Sequence, residues 1–188
     1  MTLIKPNLEE FLPNIGFEIA IKYVLLNEGG FANDAADPGG ITNYGITLRF
    51  LREYSIDLNG DGVIDERDII EMTIPQAKWV YRRFIWELNH YGKFDHPTIA
   101  TKAFDMAVNM GESQATKLLQ RAINTLSQPD IVVDGVRGPK TLEKANGINP
   151  FDLLREMRLQ CKSFYELLVQ KRPKLKRFLN TWLRRAKQ

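Results

Sequence analysis

A chain of 188 residues that is 44% hydrophobic and 26% charged carries enough apolar side chains for one sizeable core and is too apolar to be read as disordered. Its single cysteine, Cys161, excludes an internal disulfide framework, and no apolar run approaches the roughly 20 residues that cross a bilayer. The formal net charge of +3 hides a segregation: eight Lys and Arg and no acidic residue follow Glu166, which leaves the remainder net acidic.

The first ten residues, Met1 to Glu10, lack a basic leader followed by an apolar core and a small-residue cleavage site, so no secretory signal is visible. Phe17, Ile21, Val24 and Leu25 then recur at helical spacing, and Gly29-Gly30 predicts a left-handed exit from that helix. Glu28 therefore falls in the last helical turn. Unpaired carbonyls at that end disfavour a negative charge, and the apolar neighbours Leu25, Leu26 and Phe31 add to the effect; a carboxyl that keeps its proton can serve as a general acid. Asp37 follows in a polar Pro-Gly-Gly turn suited to an ionised general base or charge stabiliser, with Asp34 as the reserve candidate. The hydroxyl of Thr42 lies close behind in sequence, placed to hold a water. Taken singly, Glu28 is a solvated helix end and Asp37 a turn former.

The combined stretch, Glu28-Gly29-Gly30-Phe31 with Asp37-Pro38-Gly39-Gly40 and Thr42-Asn43-Tyr44-Gly45-Ile46-Thr47, resembles glycoside hydrolase family 108, the lysozyme-like N-acetylmuramidases. The resemblance implies a mainly α, lysozyme-like helical domain with a small hairpin region at the active site. It implies Glu28, Asp37 and Thr42 as catalytic residues, Tyr44 as a substrate contact and peptidoglycan as the partner, with no cofactor in the chemistry. Two-carboxylate glycoside hydrolysis runs with inversion or retention according to carboxylate separation, which no sequence gives, and transglycosylation through Glu28 alone stays open as well. A chain without a visible leader would reach the bacterial wall by lysis, by a phage holin or by a dedicated exporter, or else its leader is absent from this sequence.

Thr47 predicts the cap of a short helix through Leu48, Phe50, Leu51 and Tyr54. The next segment, residues 57–68, has the pattern of an EF-hand loop. Asp57, Asn59, Asp61, Asp65 and Asp68 supply side-chain oxygens at positions one, three, five, nine and twelve; Gly62 takes the sharp turn at six, and Val63 offers a backbone carbonyl at seven. Four crowded Asp residues repel one another unless a cation intervenes, so a structural calcium ion is expected. Asp68 in place of the usual Glu is the departure from the pattern, as in dockerin-like loops.

From Ile74-Pro75, the stripe Ala77, Val80, Tyr81, Phe84, Ile85 and Leu88 predicts an amphipathic helix with Trp79 and Trp86 on another flank. In the family a helix of this kind lines the sugar groove, so Trp86 is either a stacking platform or a core residue. A helix over 98–110 presents Ala103, Phe104, Ala107 and Val108 inward, and Asn109 near its end is either a hydrogen-bond donor to an N-acetyl group or a helix-end residue.

Another core-facing helix covers 113–126, and Val133 to Leu142 is similar to the Asp-Gly and Gly-Pro pattern of small peptidoglycan-binding lobes; consecutive turns alone account for it equally well. Asn149-Pro150 predicts the start of a helix to about Gln170, and Leu175, Phe178, Leu179 and Trp182 predict a final helix packed back on the body. Its basic side suits an anionic envelope better than nucleic acid. The domain expectation is a catalytic region over 1–125, with the loop at 57–68 inserted, and a peptidoglycan-binding-like lobe with terminal helices over 126–188. The alternative function is a non-catalytic, calcium-stabilised peptidoglycan-binding or secretion-accessory protein.

Overall fold

Apolar positions three and four apart bury one face of each main segment, and this periodic burial accounts for nine α-helices among the described residues. The computed structural model describes residues 2–31, 41–128 and 131–188. One two-stranded antiparallel hairpin is the only sheet among the described residues. The fold is mainly α, as the sequence predicts. Compactness divides the chain into Met1–Asn89 and His90–Gln188; the expected boundary at 125/126 lies at the end of a helix inside the second unit.

In the first unit, the N-terminal segment is pinned where Ile4 bridges Ile56 in parallel, the Ile4 N–H donating to the Ser55 carbonyl at 2.8 Å. Helix α1, Ile15–Glu28, is capped by Asn14, whose side chain accepts from the Phe17 N–H, and buries Phe17, Ala20, Ile21 and Val24. The hairpin is β1, Thr42–Asn43, against β2, Ile46–Thr47. Thr47 caps α2, Leu48–Tyr54, as its sequence position predicts. Asp65 caps the short α3, Glu66–Ile70, and Thr73 with Gln76 forms a reciprocal capping box at the head of α4, Ile74–Tyr81.

The predicted amphipathic helix over 74–88 does not continue as one α-helix. After Tyr81 the chain runs as a π-helical turn, Arg82–Glu87. The wider turn rotates the residues within and after it, so Leu88 leaves the buried stripe at 57% exposure while Trp86 turns inward to 1%. Trp86 packs edge-on against Phe17, with ring centroids 5.6 Å apart.

In the second unit, α5, Pro97–Met110, and α6, Glu112–Leu126, pack on the long α8, Pro150–Lys171. Asn149 caps α8 by accepting from the N–H groups of Phe151 and Asp152. Gln120 on α6 ties down the Asp134-Gly135 turn: its Nε2 donates to Asp134 Oδ1 at 2.8 Å and to the Val136 carbonyl, and it accepts the Gly135 N–H at 2.9 Å. Gly135, at φ +82°, lies against Ser113, whose carbonyl oxygen a Cβ would meet at 2.8 Å. These bonds give the Asp-Gly step a structural task, and hydrogen bonds from Val136 and Gln120 hold the Asp134 carboxyl below its ordinary range. Pro139 opens α7, Pro139–Gly147, at its first position.

The last segment departs from its predicted helix at the start. Pro173, without an N–H, leads a 3-10 stretch, Pro173–Phe178, and Phe178 remains exposed; only then does α9, Leu179–Lys187, begin. Trp182 stacks on Tyr165 of α8 at 5.2 Å. One of the eight terminal cations is buried: Arg185 is 7% exposed, and its Nε donates to Asp105 Oδ1 at 2.9 Å. Cys161 is a buried core thiol, which burial pushes up to about 11.

Candidate active site

The local fold brings three groups to one point. Helix α1 ends at Glu28 because Gly29 adopts φ +71°, a conformation glycine enters without the cost of a Cβ. The hairpin pairs Thr42 with Thr47 and Asn43 with Ile46, leaving Tyr44-Gly45 as a two-residue loop with both φ values positive, 50° and 77°. That is the turn whose twist suits tight hairpins. The Tyr81 hydroxyl, from the last turn of α4, donates to the Tyr44 carbonyl at 2.7 Å and fixes the turn from beneath. A Cβ on Gly45 would stand 2.6 Å from Glu28 Oε2 and 2.8 Å from the Tyr81 hydroxyl, so the carboxyl of Glu28, the turn and the phenol are in immediate proximity. Asn43 is buried and donates from Nδ2 to the Ile69 carbonyl at 3.0 Å, anchoring the hairpin to α3.

Of the other expected site residues, Thr42 is half-buried on β1 of this same hairpin, and Tyr44 is half-buried at its tip. Asp37 and Asp34 lie outside the described residues. Trp86 has its faces packed in the core of the first unit, which fits the core alternative and leaves no open ring face for sugar stacking. Asn109 belongs to the second unit, where its Oδ1 accepts from the Tyr165 hydroxyl at 2.5 Å. Sequence reasoning missed Tyr81 as a support of the site. Its place in the buried stripe was legible, but the hydroxyl's destination depends on the hairpin.

The expected calcium loop is folded through its own backbone. Asp57 is fully buried and accepts from the N–H groups of Gly60 at 2.7 Å and Gly62 at 2.9 Å. Asp68 accepts from Leu58 and Asp65, at 2.7 and 2.9 Å. Positive charge comes from Arg67, whose guanidinium bridges Asp61 at 2.7 Å and Asp65 at 3.2 Å, and from Lys5, 3.9 Å from Asp57. Hydrogen bonds from Arg67 hold the Asp65 carboxyl below its ordinary range. The oxygen donors are of the type calcium takes. Among the described residues, however, no three His, Cys, Asp or Glu side chains gather closely enough to hold a metal ion.

Comparison with known proteins places this geometry in a family. The model for glycosyl hydrolase 108 matches residues 21–111, which contain the C-terminal part of α1, the hairpin and the loop, and the one described as "Predicted Peptidoglycan domain" matches residues 114–187. The fold is similar to a solved structure of Brucella abortus SagA, with TM-score 0.71 and 24% identity over 91% of this chain and 89% of that one. No curated protein matches. With the two matched regions adjoining and the hairpin and helix exit inside the first, the chain belongs to glycosyl hydrolase family 108 and is a glycoside hydrolase that acts on peptidoglycan.

Proposed function

We propose that Glu28 is the general acid of this hydrolase, protonating the glycosidic oxygen as the bond to N-acetylmuramic acid breaks. The observation that carries the proposal is the seat of Glu28: a carboxyl at a glycine-terminated helix end, packed on the Tyr44-Gly45 turn that Tyr81 holds. A proton donor must be fixed relative to the leaving oxygen, and a half-buried carboxyl on a tight turn has few rotamers to lose. Asp37 is proposed to activate water or stabilise the oxocarbenium-like sugar, and Thr42 to orient that water. Tyr44 at the hairpin tip and Asn109 are proposed sugar contacts.

Glu28→Gln tests the assignment, since it removes the donatable proton at nearly constant shape. Turnover of purified sacculi should drop by at least the roughly 10²–10⁴-fold that general-acid catalysis supplies, with the melting temperature unchanged. Substantial residual release of reducing ends by this variant would sink the assignment.

Two further readings stand as proposals. Residues 57–68 bind one structural calcium ion through Asp57, Asn59, Asp61, Asp65, Asp68 and the Val63 carbonyl, which requires Arg67 to leave the loop. The basic C-terminal helices meet the anionic wall, to which the protein gains access by lysis or export.

A further inference from the structure

A groove of about 570 Å³ lies within the second unit along α8 and α9. Its apolar lining is Leu159, Leu183 and Ala186, and its charged lining is Arg158, Lys162 and Lys187 with a single acid, Glu166. Glu166 meets Lys162 at 3.8 Å in an exposed pair that is weakly held, so the groove keeps a net positive lining. Arg158 donates from Nη2 to the Gln188 carbonyl at 2.6 Å, while its Nε is buried without a hydrogen-bond partner. With this buried donor unmet, the guanidinium retains a demand for acceptors.

We infer that this groove binds the peptide stem of peptidoglycan through its free carboxylates. The inference rests on peptidoglycan as the substrate and adds where the peptide, as distinct from the glycan, is held. Sugars are recognised by aromatic faces and neutral polar groups, and the groove presents none of the former; cations beside small apolar surfaces suit a short peptide that alternates carboxylates with methyl-bearing residues. The whole lining falls inside the region matched by the peptidoglycan domain, residues 114–187.

The test uses the full chain and a fluorescent synthetic stem tetrapeptide, with its carboxylates free or amidated, in anisotropy titrations. Lys162→Glu with Lys187→Glu reverses two exposed charges and spares the core. Binding of the free-carboxylate peptide should weaken about tenfold or more in the double variant, and amidation should weaken it similarly in the unmutated protein. Hydrolysis of peptide-free glycan strands and the melting temperature should not change. Equal binding of the amidated peptide, unchanged affinity in the double variant, or no binding at millimolar peptide would overturn the inference. So would binding to anionic lipid vesicles that the double variant loses while its peptide affinity stays intact. An unmutated protein that cleaves peptide-free glycan yet ignores the peptide refutes the groove alone; one that cleaves no glycan refutes the catalytic reading instead.

Discussion

Gly45 and Glu28 are matched by exclusion: the position where any other residue would carry a Cβ is 2.6 Å from Glu28 Oε2 and 2.9 Å from its Cγ. The two residues are far apart in sequence, and the hairpin turn brings the glycine under the acid. Because both contacts are shorter than real Cβ contacts, either the carboxyl or the turn must give way when a side chain is added.

Gly45→Ala should therefore reduce kcat on sacculi by an order of magnitude or more, through displacement of the acid and strain at φ +77°. Gly111→Ala provides the control. That residue is also at positive φ, +86°, but nothing lies within 4 Å of its added Cβ, so stability should fall while activity persists. As a milder second arm, Tyr81→Phe removes the 2.7 Å bond to the Tyr44 carbonyl and should lower kcat with little change in KM. Gly45→Ala turnover equal to that of the unmutated enzyme would show that Glu28 does not depend on this contact.

The sequence made the site's ingredients legible but not their assembly. Glu28 at a helix exit, Thr47 as a cap and Asn149 as a cap all follow from local rules, because a glycine or a short polar side chain satisfies backbone groups within four residues. The π-helical turn after Tyr81 was not legible: Leu88 fits an α-helical stripe, and only packing of Trp86 against Phe17 reveals the rotated register. Arg185 was hidden for a similar reason. Eight cations in a row of helices read as a solvated basic face until a partner 80 residues away, Asp105, draws one of them inside.

The acidic loop gives a prediction in which a cation competes with a side chain. Arg67 stands 2.7 Å from Asp61 and 3.2 Å from Asp65, so calcium can use those carboxylates only by displacing it. Arg67→Gln should therefore raise the calcium affinity measured by calorimetry and enlarge the calcium-dependent rise in melting temperature. A ligand specific to the folded state adds about 2.7 kcal/mol at a hundredfold excess over Kd. Asp61→Ala should abolish both effects. If neither the unmutated chain nor Arg67→Gln shows heat at millimolar calcium, the loop is an arginine-closed turn and not a metal site.

Arg184 and Arg185 are neighbours in sequence with opposite energetic weight. Arg185 forms a buried pair with Asp105, and its carbonyl accepts from Lys102 Nζ at 3.0 Å; Arg184 is exposed. Breaking a buried pair strands the remaining charge, which typically costs about 3–5 kcal/mol, whereas exposed surface changes stay within about 0.5 kcal/mol. Urea unfolding should show Arg185→Ala strongly destabilised and Arg184→Ala nearly unaffected. Similar midpoints for the two variants would contradict the burial of this pair.

Alkaline pH should expose the burial of Cys161. Its thiol is raised from 9.0 to about 11 in the folded chain, chiefly by burial, with Lys102 pulling the other way and Asp105 adding to the rise. Below pH 9 the thiol is protonated in both states and contributes nothing that depends on pH. Between pH 9 and about 11 the unfolded chain releases the proton while the folded chain keeps it, so the unfolded state gains and stability falls as pH rises. Cys161→Ala lacks this group, and its variant also lacks a buried sulfur, which lowers stability by an amount independent of pH. The stability gap between the unmutated chain and Cys161→Ala should therefore narrow across that window, by about 2 kcal/mol at most. Lys102 is present in both chains, and the burial that chiefly lowers its own titration is common to them. Parallel stability curves from pH 8 to 11 would mean that the thiol is reached by water and is not sealed against α5.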